Sequence, residues 1–146
     1  MHVDVFIDTN VLVYAHDADA GGKHAKAREL IDGFWEKRET PCLSVQVLQE
    51  LHVNLVRKGT KVARSAQIVE RYLSWRVVDN SRHLLRQAFA DQQRWQLSFW
   101  DALVIAAAKR AGLSTVWSED LNPGQDYGGV RVVNPFVGPL GDPASF

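Results

Sequence analysis

The chain begins with "VDVFI", a continuous rather than alternating apolar run, as in a strand buried on both faces of a parallel sheet. Apolar residues resume after Asp8-Thr9-Asn10 in "VLVYA". Beyond the Gly21-Gly22 loop, Ala27, Leu30, Ile31 and Phe34 recur at helical spacing and predict a helix over 23–37. "PCLSV", entered through Pro41, reads as a second strand. Ser44 is placed to cap a helix running to about residue 58, with Gly59 ending it. A helix over 62–75 and a short strand "RVVD" follow. Ser81 opens a helix through residue 94, and Ser98 one through 111 that stops at Gly112. "STVW" and "VRVVN" supply two last strands. Strands alternating with helices predict an α/β fold around a mostly parallel five-stranded sheet. There is no internal repeat and no low-complexity segment. One domain over 1–136 is expected, with 137–146 as a flexible tail.

Composition narrows the class. At 146 residues, with 46% hydrophobic and 23% charged positions, the chain suits one globular domain that needs no covalent staples. The single cysteine, Cys42, excludes an internal disulfide and a cysteine-rich zinc site, and its apolar surroundings read as core. No charged-then-apolar leader opens the chain, and the longest apolar run, "ALVIAAA", is too short to span a bilayer. A cytoplasmic protein without membrane contact is expected. Seventeen basic and seventeen acidic residues cancel, which argues against a surface coated in positive charge but leaves room for a local patch. Between 57 and 76, Arg57, Lys58, Lys61, Arg64, Arg71 and Arg76 face Glu70 alone, either as a solvated helical surface or as one that meets phosphates.

The acids change the picture most. In open parallel sheets, sites form beyond the carboxyl ends of the strands. Asp8 stands at such an end between two core-like runs, where an ionised carboxylate costs several kcal/mol unless paired. Asp120 follows "STVW". Asp101 opens the helix "SFWDALVIAAAKRAG"; Ser98-x-x-Asp101 fits a capping box, while the apolar run after it suggests an enclosed helix start. Glu50 lies on the flank of a core-facing helix stripe, with Gln46 one turn before it and Asn54 one turn after. Four acids with few neighbouring bases need a counter-charge, and Mg2+ or Mn2+ is the hard, oxygen-seeking choice, suited to phosphodiester hydrolysis.

The ordered set from "FIDTNVLVYA" to "VRVVNPF", most specifically "SFWDALVIAAAKRAGLSTVWSEDLNPGQ", resembles the PIN-domain ribonucleases and, within them, VapC-like toxins of toxin–antitoxin pairs. The resemblance implies a three-layer α/β/α fold and magnesium-dependent endonucleolytic cleavage of RNA. It also implies a small cognate antitoxin as inhibitor, and the reading adds a homodimer. The family's acids fall on Asp8, Glu50, Asp101 and Asp120, with Ser118-Glu119-Asp120 standing where relatives have Thr-x-Asp. Asp8, Asp101 and Asp120 are then the metal ligands, and Glu50 completes the cage or orients a water. Thr9, Asn10, Ser44 and Ser118 are supporting polar groups, and Arg57, Lys58 and Lys61 are the RNA-binding candidates.

Other residues draw plainer readings. Asp79 is a turn acid before the Ser81 cap, Asp17 and Asp19 are solvated loop acids, and Asp126 is a weak alternative to Asp120. The five histidines show no zinc spacing, and no serine or cysteine nucleophile pattern is present. Trp100 and Trp117, in apolar segments, are expected in the core, and Trp95, in a polar connection, at the surface. The competing function is a catalytically silent RNA- or protein-binding module of the same fold, keeping the acids only as caps and turns.

Overall fold

A computed structural model describes residues 1–137. Five strands, β1 (His2–Ile7), β2 (Thr40–Ser44), β3 (Arg76–Val78), β4 (Thr115–Trp117) and β5 (Arg131–Val133), form one sheet in the order β3-β2-β1-β4-β5. The four strand-to-strand pairings are parallel, and an isolated antiparallel bridge joins Asp126 to Arg131 of β5. Six helices complete a three-layer α/β/α fold: α1 (Thr9–His16), α2 (Gly22–Glu36), α3 (Val45–Arg57), α4 (Val62–Tyr72), α5 (Arg82–Trp95) and α6 (Phe99–Arg110). Beyond Val137, the expected tail lies outside the described residues. None of the described helices is long and apolar enough to cross a membrane.

The predicted strands are all present. The caps are too: Ser44 Oγ accepts from Val47 N at 3.2 Å, Ser81 Oγ from Leu84 N at 3.1 Å, and Ser98 Oγ from Asp101 N at 3.1 Å. One stretch to which the apolar pattern assigns no element forms α1, and one helix end needs correction. In "VLVYA", Asp8 accepts from Thr9 N at 2.7 Å and caps a helix buried at Thr9, Val11, Leu12, Val13 and Ala15. Helix α4 stops at Tyr72, three residues short of the predicted end, and the turn that follows carries Trp75 into an aromatic cluster with Phe34, Trp35 and Tyr72.

The core is built on Phe6 and Ile7 of β1, Leu43 of β2, Val116 of β4 and the apolar length of α6, buried at Ala102 and from Val104 to Ala108. A helix apolar on nearly every side can only be central. Cys42 is buried, as expected. One ion pair enters this interior. Lys109 of α6 reaches Asp91 of α5 at 2.7 Å; the Asp91 side chain is only 3% exposed and also receives Gln87. Gly128, at φ +70°, leaves room for that lysine, since a Cβ there would sit 3.2 Å from its Nζ.

Removing one partner of such a pair strands a buried charge. Lys109→Ala is expected to cost about 3 kcal/mol in urea unfolding. Replacing the pair with Asp91→Leu and Lys109→Met is expected to cost markedly less, because no charge is then left buried. Equal losses in the two proteins would contradict this account.

Candidate active site

The sheet reverses direction of build at β1, with β2 on one side and β4 on the other, so the crevice past their carboxyl ends is the switch point of the fold. Ile7 pairs with Trp117 across β1 and β4, and Asp8 N then donates to the Trp117 carbonyl at 3.0 Å. This register sets Asp8 beside Ser118. Ser118 Oγ donates to Asp8 Oδ2 at 2.8 Å while accepting from Asp120 N at 3.1 Å. From the first turn of α1, Asn10 Nδ2 donates to Asp120 Oδ2 at 3.1 Å, and its Oδ1 accepts from Glu119 N at 3.2 Å. Asp8, Asp120 and the side chains of Ser118 and Asn10 thus form one hydrogen-bonded rim.

Glu50 joins from α3. Its Oε1 accepts from Gln46 Nε2 at 2.7 Å and from Thr9 Oγ1 at 3.4 Å, as its position flanking the core stripe implied. Ser44 instead spends its hydroxyl as the cap of α3. Asp101, in the first turn of α6, is close enough for the Asp120 charge to act on it. The start of α6 is half-open and not enclosed: Asp101 is partly exposed and Trp100 is 61% exposed, against the core position expected for that tryptophan. Trp117 does lie in the core.

The remaining acids are occupied elsewhere. Glu119 binds Lys23 at 2.5 Å and accepts from Tyr14 Oη at 2.6 Å, so it turns away from the rim that Asp120 joins. Asp126 accepts from Gly129 N and faces Arg131. Asp17, expected as a solvated acid, caps a short 3-10 turn and pairs with Lys58 at 3.1 Å. Asp79 is exposed in the turn after β3, two strands from β1. Trp95 is not a surface residue: it is partly buried against Tyr127, ring centroids 5.6 Å apart. His16 bonds Tyr72, and His52 bonds Ser65.

Electrostatics single out the rim. Burial pushes the Asp8 carboxyl up to about 7 against the Ser118 and Thr9 hydrogen bonds, and the charges of Glu50 and Asp120 push the same way. Burial, opposed by Ser98 and aided by the Asp120 charge, raises Asp101 as well. Burial would raise Glu119 too, but Lys23 and Tyr14 hold it below its usual range. Among the described residues, no lysine or arginine pairs with Asp8, Glu50, Asp101 or Asp120. Their chemistry, oxygen donors with no cation, suits a hard divalent ion. The described side chains include no group of three or more His, Cys, Asp or Glu already drawn together as a ligand cage. Beside the rim, a cleft of about 310 Å³ is lined by Asn10, Tyr14, Glu50, Arg57, Lys58 and Asp120. Lys61 sits instead at the cap of α4, outside this lining.

The PIN domain family matches residues 5–124 of the chain. No curated protein sequence matches it. Among solved structures, it is similar to VapC20 of Mycobacterium tuberculosis, described as a Sarcin-Ricin loop cleaving toxin, with TM-score 0.63, 22% identity, and 80% of this chain and 91% of that one covered. A toxin–antitoxin complex from Klebsiella pneumoniae aligns with TM-score 0.65 and 19% identity over 90% and 98% of the two chains. DNA-bound VapBC from Salmonella typhimurium aligns with TM-score 0.62 and 20% identity over 89% and 96%.

Asp8 makes the stability of the metal-free protein depend on pH. Unfolded, its carboxyl ionises near 3.8; folded, near 7. Between those values the unfolded chain gives up a proton that the folded one keeps, so stability falls as pH rises, by on the order of 4 kcal/mol in all, and stays low above 7. Asp8→Asn keeps the cap and removes the charge. In chelator, it is expected to melt above the wild type at pH 8 and to converge with it near pH 4. Parallel melting curves across that range would rule out a strained Asp8.

Proposed function

Because the chain belongs to the PIN domain family, we propose that it is a metal-dependent endoribonuclease, the toxin of a toxin–antitoxin pair. The observation that carries this reading is the rim itself: at the switch point of a parallel sheet Asp8 feels the charges of Glu50 and Asp120, Asp101 feels that of Asp120, and among the described residues no lysine or arginine is paired with any of the four. Asp8, Asp101 and Asp120 would hold Mg2+ or Mn2+, with Glu50 completing the cage or orienting a water. When bound, such an ion polarises phosphoryl oxygens and makes water more acidic. The chain's own part is positional. Thr9 and Ser118 hold the two oxygens of Asp8, and Asn10 fixes Asp120. Gln46 and Thr9 aim Glu50. Arg57 and Lys58 stand at the cleft wall, where they would take phosphates flanking the cut.

RNA as the substrate class draws support from the fold neighbour described as a Sarcin-Ricin loop cleaving toxin, and an antitoxin partner from the neighbours solved as toxin–antitoxin complexes. A second copy of the chain belongs to the same reading. Exposed Val53, Leu73 and Phe89 offer apolar helical surface for protein partners.

The test incubates the protein with transfer and ribosomal RNAs, with and without Mg2+ or Mn2+. Cleavage is expected only with metal, and Asp8→Asn and Asp101→Asn are each expected to abolish it while remaining folded. Mn2+ should raise the melting temperature of the wild type and not of Asp8→Asn. Full activity in both variants would refute the assignment. A triple Arg57→Ala, Lys58→Ala, Lys61→Ala protein is expected to bind RNA more weakly, with a salt dependence flatter by roughly one unit of slope for each phosphate no longer neutralised. An unchanged slope would remove these residues from the interface.

A further inference from the structure

Trp100 is the exposed aromatic that the fold leaves unexplained. It precedes Asp101 in the first turn of α6, and its indole is 61% exposed. Beneath it, Phe99 packs edge-on with ring centroids 5.2 Å apart, and Phe99 in turn meets Phe89 at 5.8 Å, so the indole rests on an aromatic base. It forms one wall of a pocket of about 410 Å³ between α3, α5 and α6. The lining is mostly apolar, with Leu85 and Leu103 beside the ring; Gln46, Gln49, Asn80 and Arg82 bring polar groups to it, and no carboxylate takes part.

The pocket shares a wall with the acidic rim. Gln46, which lines it, spends its Nε2 on Glu50. The pocket and the acids are therefore joined through the Gln46–Glu50 hydrogen bond, and Trp100 directly precedes Asp101 in the chain. An exposed ring flanked by amides and a guanidinium is the chemistry by which single-stranded RNA is read, the base stacking on the ring while its edge takes hydrogen bonds. Purely apolar contacts would serve a protein partner as well, but the amides and Arg82 give a base edge the donors and acceptors it needs.

We infer that this pocket holds one unpaired nucleobase of the RNA strand, stacked on Trp100 and read by Gln49, Asn80 and Arg82, beside the phosphodiester lying over the acids. The inference rests on the ribonuclease reading and adds to it a subsite for base preference next to the cut.

Cleavage positions are first mapped on a mixed-sequence single-stranded RNA. The full chain carrying Asp8→Asn then binds oligoribonucleotides with 2-aminopurine at successive positions around the mapped bond. Fluorescence is expected to be quenched at one position adjacent to the cut, and Trp100→Ala added to Asp8→Asn removes the quenching. On its own, Trp100→Ala lowers kcat/KM by roughly 5- to 150-fold and relaxes the base preference at that position, whereas Trp100→Phe keeps most of both. Its melting temperature, matched to the wild type, shows that the fold is intact. Wild-type cleavage with an undiminished, equally selective Trp100→Ala protein overturns the pocket and leaves the ribonuclease standing. No cleavage or binding by the wild type overturns both. Conversion of a dimer to a monomer by Trp100→Ala, with quenching retained, overturns the pocket by giving this face to a second copy.

Discussion

One backbone hydrogen bond, from Asp8 N to the Trp117 carbonyl, fixes where everything else at the rim can be. It extends the pairing of β1 with β4 one residue past both strands, so that Asp8 and Ser118 meet. A slip of one residue would turn every side chain of β1 to the other face. Phe6 and Ile7 oppose that slip, because they fill opposite faces, both wholly buried, and exchanging their different shapes would overpack one face and leave a void in the other. The core thus sets the register, and the register delivers the carboxylate. The same residue then ends the strand and begins α1, and α1 brings Asn10 to Asp120 and Thr9 to Glu50. A single position serves sheet, helix and site.

That economy has an energetic cost, visible in two neighbouring acids. Glu119 and Asp120 adjoin in sequence and differ in environment. Glu119 has Lys23 and Tyr14 and is held below its usual pKa. Asp120 has an amide from Asn10 and lends its negative charge to the raised values of Asp8 and Asp101. A fold selected for stability alone would treat every acid as it treats Glu119. Asp8 and Asp101, raised at the switch point of the sheet with no lysine or arginine paired to them, are the strained members of this arrangement.

The strands and five of the helices were legible because each depends on local pattern: continuous apolar runs and caps at Ser44, Ser81 and Ser98. The same patterns set Asp8 and Asp120 past strand ends and Glu50 and Asp101 on helices. Strand order is not local: nothing within the runs themselves sets β1 beside β4. Helix α1 was hidden because valines in "VLVYA" favour a strand, and the cap that overrules them is the same aspartate the site uses. Trp100 was misplaced for a related reason. The apolar run of α6 marks a buried helix, but its first turn projects past the sheet, where composition no longer reports burial. The pairing of Glu119 with Lys23 lies far beyond any sequence window, and only the structure could separate it from Asp120.

Helix α3 relates these parts to one another. Gln46 stands in the aromatic pocket, Glu50 at the acids, and Arg57 at the basic cleft wall. At 1.5 Å per residue, Gln46 and Glu50 are about 6 Å apart along the axis, and Glu50 and Arg57 about 10 Å. A strand laid along this helix would meet a ring and amides at one end, carboxylates in the middle and cations at the other end. The proposed RNA strand, carrying flat bases and regularly spaced phosphates, has a group for each of the three stations. A lone phosphate would leave the ring unused, whereas a peptide could meet the ring with an apolar side chain and the carboxylates with a lysine or arginine. The order of chemistry along α3 therefore suits an extended chain, and binding of RNA in the presence of metal is what separates the proposed strand from a peptide.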